Sequence, residues 1–366
     1  ISGFNTLTGL SLPLLHVALP IGISFYTFQI MSYIIDVYRK KYPAGRNLIE
    51  VAAYISMFPQ LIAGPIVTFD EVQPRLRERK ISPANIENGL LLFVVGLVYK
   101  VMLANQIAAL WNDVMVSGVM GINTATAWLG AWGYSMQIYF DFLGYSLMAI
   151  GMGYMLGFRF PKNFSNPYCA VSVTDFWRRW HITLGRWFRE YVYIPLGGNK
   201  KGQFRLVINT FIVWFLTGLW HGAAWNFIIW GMFFFILMML EKFIYLRFLE
   251  KHPIIGHLYM LIIIPVSWVI FNISNLGELK LYLLRMFGNH AVSGVPLGGM
   301  EKFVSLFGKY WWMLAICMVC ATPLPMRLIS RYKNNIFLKI LFVFLFWICV
   351  YLLSVQKSNP FLYFRF

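Results

Sequence analysis

Acidic side chains are scarce in this chain. Its 366 residues hold 14 Asp and Glu against 31 Lys and Arg, and charged residues of both signs make up only 12%. Soluble domains of this length need far more polar surface to coat them, so that architecture is excluded. Cysteine is scarce as well: Cys169, Cys317, Cys320 and Cys349 sit in or beside apolar runs, with neither a disulfide framework nor zinc-ligand spacing. The Cys317 and Cys320 pair is a CxxC inside an apolar run, where no redox or metal role is expected. The sequence lacks a GxxxxGK[ST] phosphate loop, an HExxH, a GxSxG and a GxGxxG set after a strand pattern. An ATP-driven pump, a zinc protease and a serine hydrolase are thereby disfavoured. Internal repeats and low-complexity tracts are absent too.

What is present is apolar: 59% of the residues are hydrophobic and 18% aromatic. The expected class is an all-α, polytopic integral membrane protein forming one transmembrane domain over residues 1–366. The formal charge of +17 would suggest nucleic acid in a soluble chain. In a membrane protein the same excess collects in cytoplasmic loops, so membrane lipid and no nucleic acid is expected as partner. The chain begins at Ile1 without a basic stretch ahead of an apolar one, so no signal peptide is expected and preceding helices are.

Apolar stretches of about 20 residues mark the spans, and Lys and Arg between them orient these. The first run, Leu10 to Tyr38, ends in Arg39, Lys40, Lys41 and Arg46 on the cytoplasmic side. The run Leu48 to Phe69 is broken by Pro59 and by Gly64-Pro65 and is flanked by basic clusters at both ends, which fits a re-entrant hairpin. Gly89 to Leu110 reads as a crossing outward, and Trp128 to Phe158 as one long return. Phe204 to Trp220 and Ala223 to Leu240 are two short arms meeting at Trp220-His221-Gly222. Further spans are expected at Ile254 to Ile273, Tyr310 to Pro323 and Ile336 to Val355, with a short interfacial helix at Leu279 to Phe287. This topology leaves Lys280, Arg285, Lys302 and Lys309 on the outer side, against the charge rule.

The segment 159–205 is the longest cytoplasmic one and carries nine basic residues against Asp175 and Glu190. From Thr174, a plausible N-cap, its pattern predicts one amphipathic helix. Phe176, Trp180, Leu184, Trp187 and Tyr191 share one face, and Asp175, Arg179, Arg186 and Glu190 the other. A basic helix of this kind is expected to lie in the membrane interface.

His221, between two apolar arms, could take a proton from a hydroxyl as a neutral imidazole, or it could be a packed histidine bonded to a carbonyl. His181, which the helical wheel points with Trp177 and Phe188 away from Arg179, is either a pocket residue on the donor side or an interfacial histidine. Asp141 lies mid-span and needs a Lys or Arg partner, whether it makes an interhelical contact or a substrate contact. Arg178, Arg179, Arg186, Arg189, Lys200 and Lys201 could hold the phosphates of a cytoplasmic donor, or serve anionic lipid and orientation.

Several phrases together resemble the membrane-bound O-acyltransferases, specifically the alginate O-acetyltransferase branch. They are Pro20-IGISFYTFQIMSYIIDVYR-Lys40, Phe58-PQLIAGPI-Val67, Tyr139-FDFLGYS-Leu147, Asp175-FWRRWHITLGRWFREYVYIPLGG-Asn199, Thr217-GLWHGAAWNFIIWG-Met232 and Asn359-PFLYFR-Phe366. The resemblance implies a many-helix fold around a tunnel, with re-entrant and interfacial helices, in a bacterial inner membrane. It also implies acetyl-CoA as donor substrate rather than a bound cofactor, and no metal. His221 would be the catalytic base and His181 the second recurrent histidine. Asp175, Trp177, Arg178, Arg179, Arg186, Trp220, Asn226 and Asp141 would line the donor and substrate side. The acceptor would be an exopolysaccharide, or an extracytoplasmic SGNH-type transferase. Transfer of D-alanine to teichoic acids from a carrier-protein thioester is the alternative within the family, and a polysaccharide transporter the alternative outside it. Helices ahead of the PIGISFYTFQ phrase are expected from the resemblance, and a complete C-terminus.

Overall fold

The computed structural model describes residues 22–61, 64–288 and 298–356. Leu10 to Ile21 of the first expected span, the closing Asn359–Phe366 phrase and both expectations about the chain's ends lie outside the described residues. Within them the chain is helical and contains no β-strand.

Helix α1 (Ile23–Tyr38) leads to a broken hairpin made of α2 (Leu48–Ser56), a turn at Phe58–Leu61 and α3 (Phe69–Arg77). Nine-residue helices rise only about 14 Å, half of a bilayer core, too short to cross it as separate spans, which is compatible with the expected re-entrant form. The stretch around Ile66 and Val67 is non-helical yet buried in protein, as broken backbone inside a bilayer would have to be.

Six described helices are long and apolar enough to cross a membrane. The first, α4 (Pro83–Met115), packs antiparallel against the 32-residue α5 (Thr124–Met155), more than half of which is buried. Two glycine pairs set that register. A Cβ on Gly96 would come within 2.5 Å of the Gly144 carbonyl, and one on Gly151 equally close to Gly89. Such backbone approach between small residues is the usual way membrane helices pack closely. One turn beyond Gly96 and Gly144 the same register brings Lys100 against Asp141, which form a buried ion pair. Asp141 thus has the partner that mid-span burial demanded.

The segment after α5 corrects the expected single helix. It folds as α6 (Val173–Arg179) and α7 (Ile182–Phe188), broken at Trp180-His181. His181 stands in the left-handed region, at φ 42° and ψ 53°, a conformation costing about 1–2 kcal/mol outside glycine. The break is held by a loop 18 residues upstream: Ser165 N–H donates to the Arg179 carbonyl and Ile182 N–H to the Asn163 carbonyl, each at 2.9 Å. The N-cap is Ser172, whose hydroxyl accepts from Asp175 N–H at 3.0 Å. Thr174 instead donates its hydroxyl to Glu241.

The five aromatic and aliphatic residues assigned to one face are all buried, against protein rather than lipid. Phe176, Trp177 and Trp180 enter a ring cluster with Trp214, Trp230, Phe234 and Trp268, with centroid separations as short as 4.8 Å. Each such contact contributes about 0.5–1.5 kcal/mol beyond its burial. The helix pair is therefore inserted into the core, where periodicity alone placed it in the interface.

Helices α8 (Gly202–His221) and α9 (Trp225–Lys251) form the expected hairpin, though α9 runs on well past Leu240. A Cβ on Gly218 would meet the Phe227 carbonyl at 2.5 Å, and Gly231 packs likewise on Trp214. That register puts His221 at the tip of the hairpin. The remaining helices are α10 (Pro253–Asn272), α11 (Leu276–Phe287), α12 (Met300–Cys320), α13 (Leu324–Tyr332) and α14 (Ile336–Val355). Helix α12 begins ten residues before the expected Tyr310, and α13 was not foreseen. The apparent breach of the charge rule has a local account: Arg285 is buried and donates to the Met120 carbonyl, Lys302 to the Val114 carbonyl, and Lys309 pairs with Asp113 at 2.9 Å. These cations bind the end of α4 and the loop after it.

Candidate active site

A cavity of about 650 Å³ opens between α6, α7, α8 and α9. This is the range of sites that enclose a small organic ligand. Its walls are mainly apolar, including Trp177, Leu184, Val213, Trp214 and Met238, while Arg178, Arg186, Arg189 and Lys242 add positive charge. His181 lines it as well. Arg178 is exposed and makes no ion pair among the described residues. Arg186 is committed, its two guanidinium nitrogens meeting both Glu71 oxygens at 2.7 and 3.0 Å, with burial and then that carboxylate as the main influences on it. Arg179 and Asp175 pair with one another at 2.9 Å.

Glu241 positions this wall. It is fully buried on α9, and its carboxylate accepts from Val173 N–H at 2.5 Å and from Thr174 N–H at 2.8 Å. A negative charge there caps the first turn of α6 and favours its dipole.

His181 is 2% exposed. Its ring stacks near Phe25 and meets Phe142 edge-on at 4.7 Å. Its Nδ1 lies 3.0 Å from Asn163 Oδ1, and its Nε2 has no partner among the described residues. Burial, and next the neighbouring His221, hold this imidazole well below its usual titration range, so it is neutral.

His221 sits at the end of α8, ringed by Trp230 at 5.1 Å and Phe271 at 4.9 Å. Its Nδ1 is sealed and has no partner among the described residues. His221 does not line the cavity; Thr217, one turn earlier on α8, does. Trp220 links the two imidazoles, with its ring centre 6.3 Å from His181 and 4.7 Å from His221. Asn226 is buried beside this group and donates to the Phe271 carbonyl at 2.7 Å.

Of the residues singled out in the sequence, the structure brings His181, Trp177, Arg178 and Arg186 to the cavity and His221, Trp220 and Asn226 to its inner neighbourhood. Asp141 is placed in the α4–α5 ion pair, and Asp175 and Arg179 on the outer side of α6. Asn163, Thr183 and Glu241 escaped sequence reasoning. No spacing signal marks them, because each contacts its partners across the fold.

Together, these features give a polytopic helical body with a basic-mouthed cavity that His181 lines and that His221 adjoins through Trp220. The model of the membrane-bound O-acyltransferase family matches residues 39–277. The chain belongs to that family. It is 38% identical to a probable alginate O-acetylase of Pseudomonas putida over 96% of this chain and 76% of that protein. It is 44% identical to the Pseudomonas aeruginosa counterpart, over 72% of this chain and 50% of the relative. A peptidoglycan O-acetyltransferase of Helicobacter pylori is 34% identical over 84% and 63%. The chain thus spans between half and three quarters of these relatives. A teichoic acid D-alanyltransferase of Bacillus subtilis stands further off, at 30% over 61% of this chain.

Proposed function

We propose that this chain acts in O-acetyl transfer, taking acetyl from acetyl-CoA on the cytoplasmic side of a bacterial inner membrane. The acceptor is an exopolysaccharide hydroxyl, or an SGNH-type partner transferase outside that membrane. The observation that carries the reading is the cavity itself. Its charged residues, Arg178, Arg189 and Lys242, suit the phosphates of coenzyme A, and its apolar walls suit the pantetheine arm. The sequence similarity to alginate and peptidoglycan O-acetylating proteins supports an acetyl donor over D-alanine.

In this reading His221 is the general base. It takes the acceptor hydroxyl proton as the oxygen attacks the thioester carbonyl; the C–O bond forms, the C–S bond breaks, and the proton passes on to the departing thiolate.

The test uses membranes carrying the full-length protein and labelled acetyl-CoA. Incorporation into polymer or partner is expected, and His221→Ala should abolish it while the protein remains inserted. Undiminished incorporation by that variant would remove His221 from the reaction.

A further inference from the structure

A short relay of hydrogen bonds has a donor order fixed at one end. The Ile66 N–H, in the re-entrant segment, donates to Thr183 Oγ1 at 3.0 Å. That hydroxyl in turn donates to Asn163 Oδ1 at 2.9 Å, and the Thr183 N–H points at the same oxygen at 3.4 Å. An atom surrounded by donors is the amide oxygen, which fixes the orientation of the Asn163 side chain. His181 Nδ1 faces this oxygen at 3.0 Å and must donate to it. A neutral imidazole carries a single N–H, so Nε2 holds the lone pair.

We propose that Asn163 is a positioning residue for the transfer: it holds His181, which lines the donor cavity, as the Nδ1–H tautomer and leaves the buried Nε2, unpartnered among the described residues, as a hydrogen-bond acceptor. Any group that reaches His181 Nε2 must therefore bring an N–H or O–H hydrogen, and the arm amide of an acyl carrier is the chemistry that fits a basic-mouthed, apolar-walled cavity. The thioester carbonyl oxygen, an acceptor, is excluded as its partner. The inference rests on the acyl-transfer reading.

The surroundings of His181 favour this assignment. Phe25 of α1, Phe142 of α5 and Trp220 of α8 present rings to it, and His221 stands beyond Trp220. The cations along its cavity are Arg178, Arg186, Arg189 and Lys242, with Arg186 held by Glu71. With a cationic cavity at hand, an imidazolium is disfavoured and the neutral tautomer is what Asn163 selects.

Nitrogen NMR of the full-length wild-type protein with isotope-labelled histidine reads the tautomer directly, with His181→Asn used to assign the signal. A protonated Nδ1 with bare Nε2 is expected; a protonated Nε2 overturns the proposal. In the transfer assay, Asn163→Asp keeps the acceptor and adds charge, so the acid limb of the rate profile should move to higher pH. Asn163→Leu should lower kcat by at least about tenfold. Wild-type activity with an unshifted Asn163→Asp profile and full kcat in Asn163→Leu would also refute it. A wild type that transfers nothing would instead sink the acyl-transfer reading beneath it.

Discussion

His181 and His221 face the same indole: the Trp220 ring lies 6.3 Å from the first imidazole and 4.7 Å from the second. The two histidines are 40 residues apart in sequence and come from different elements, a helix break and a hairpin tip. His181 borders the basic-mouthed cavity, whereas His221 stands outside its lining between the rings of Trp230 and Phe271.

Arg178 and Arg186 should behave differently on neutralisation. Arg178 is exposed at the cavity without an ion pair among the described residues, whereas Arg186 binds Glu71 bidentately. Arg178→Gln should raise the apparent KM for acetyl-CoA with an unchanged melting temperature. Arg186→Gln should lower the melting temperature as well, since it frees the re-entrant segment. Thermal unfolding in detergent beside donor titrations distinguishes them.

Breaking the buried pair on one side should be costly. Lys100→Met or Asp141→Asn alone leaves a charge stranded between α4 and α5, worth about 3–5 kcal/mol. The double substitution should recover most of that loss. A double-mutant cycle on unfolding checks it, and equal losses in all three variants would contradict an interhelical role.

His181 makes folding sensitive to acid. Its site lies outside the spanning helices, and burial lowers its folded-state titration below that of the unfolded chain. Protonation then favours unfolding, so this contribution is intact above the ordinary imidazole value of about 6.5 and declines as pH falls below it. Melting temperatures measured across that range should fall in wild type and fall less in His181→Asn.

Glu241 caps α6 from another helix, and three donors depend on its carboxylate. Glu241→Ala should destabilise by about 1–3 kcal/mol by leaving buried N–H groups unmet. It should also weaken donor binding, because α6 carries Trp177 and Arg178. Glu241→Gln keeps one acceptor and should fall between Ala and wild type in both measurements.

Much of the architecture was legible because it depends on local periodicity and length. Ile336 to Val355 was read to the residue, and the arms meeting at His221 follow from two apolar runs joined by a turn. Likewise the spacing grouped Phe176, Trp180, Leu184, Trp187 and Tyr191 on one apolar side, and all five are buried despite the break between them.

The break itself was decided only by tertiary structure. A helical pattern continues through Trp180-His181, but backbone groups there are taken by Asn163 and Ser165 from a distant loop. The same holds for the partner of Asp141, the cap on α6 and the tautomer of His181. The sequence alone determined which segments are long apolar helices and which residues of 174–191 share a face, since spacing along one chain is enough for that. Which polar groups meet inside was left to the packed fold, because a buried hydrogen bond or ion pair is a relation between segments that no single periodicity contains.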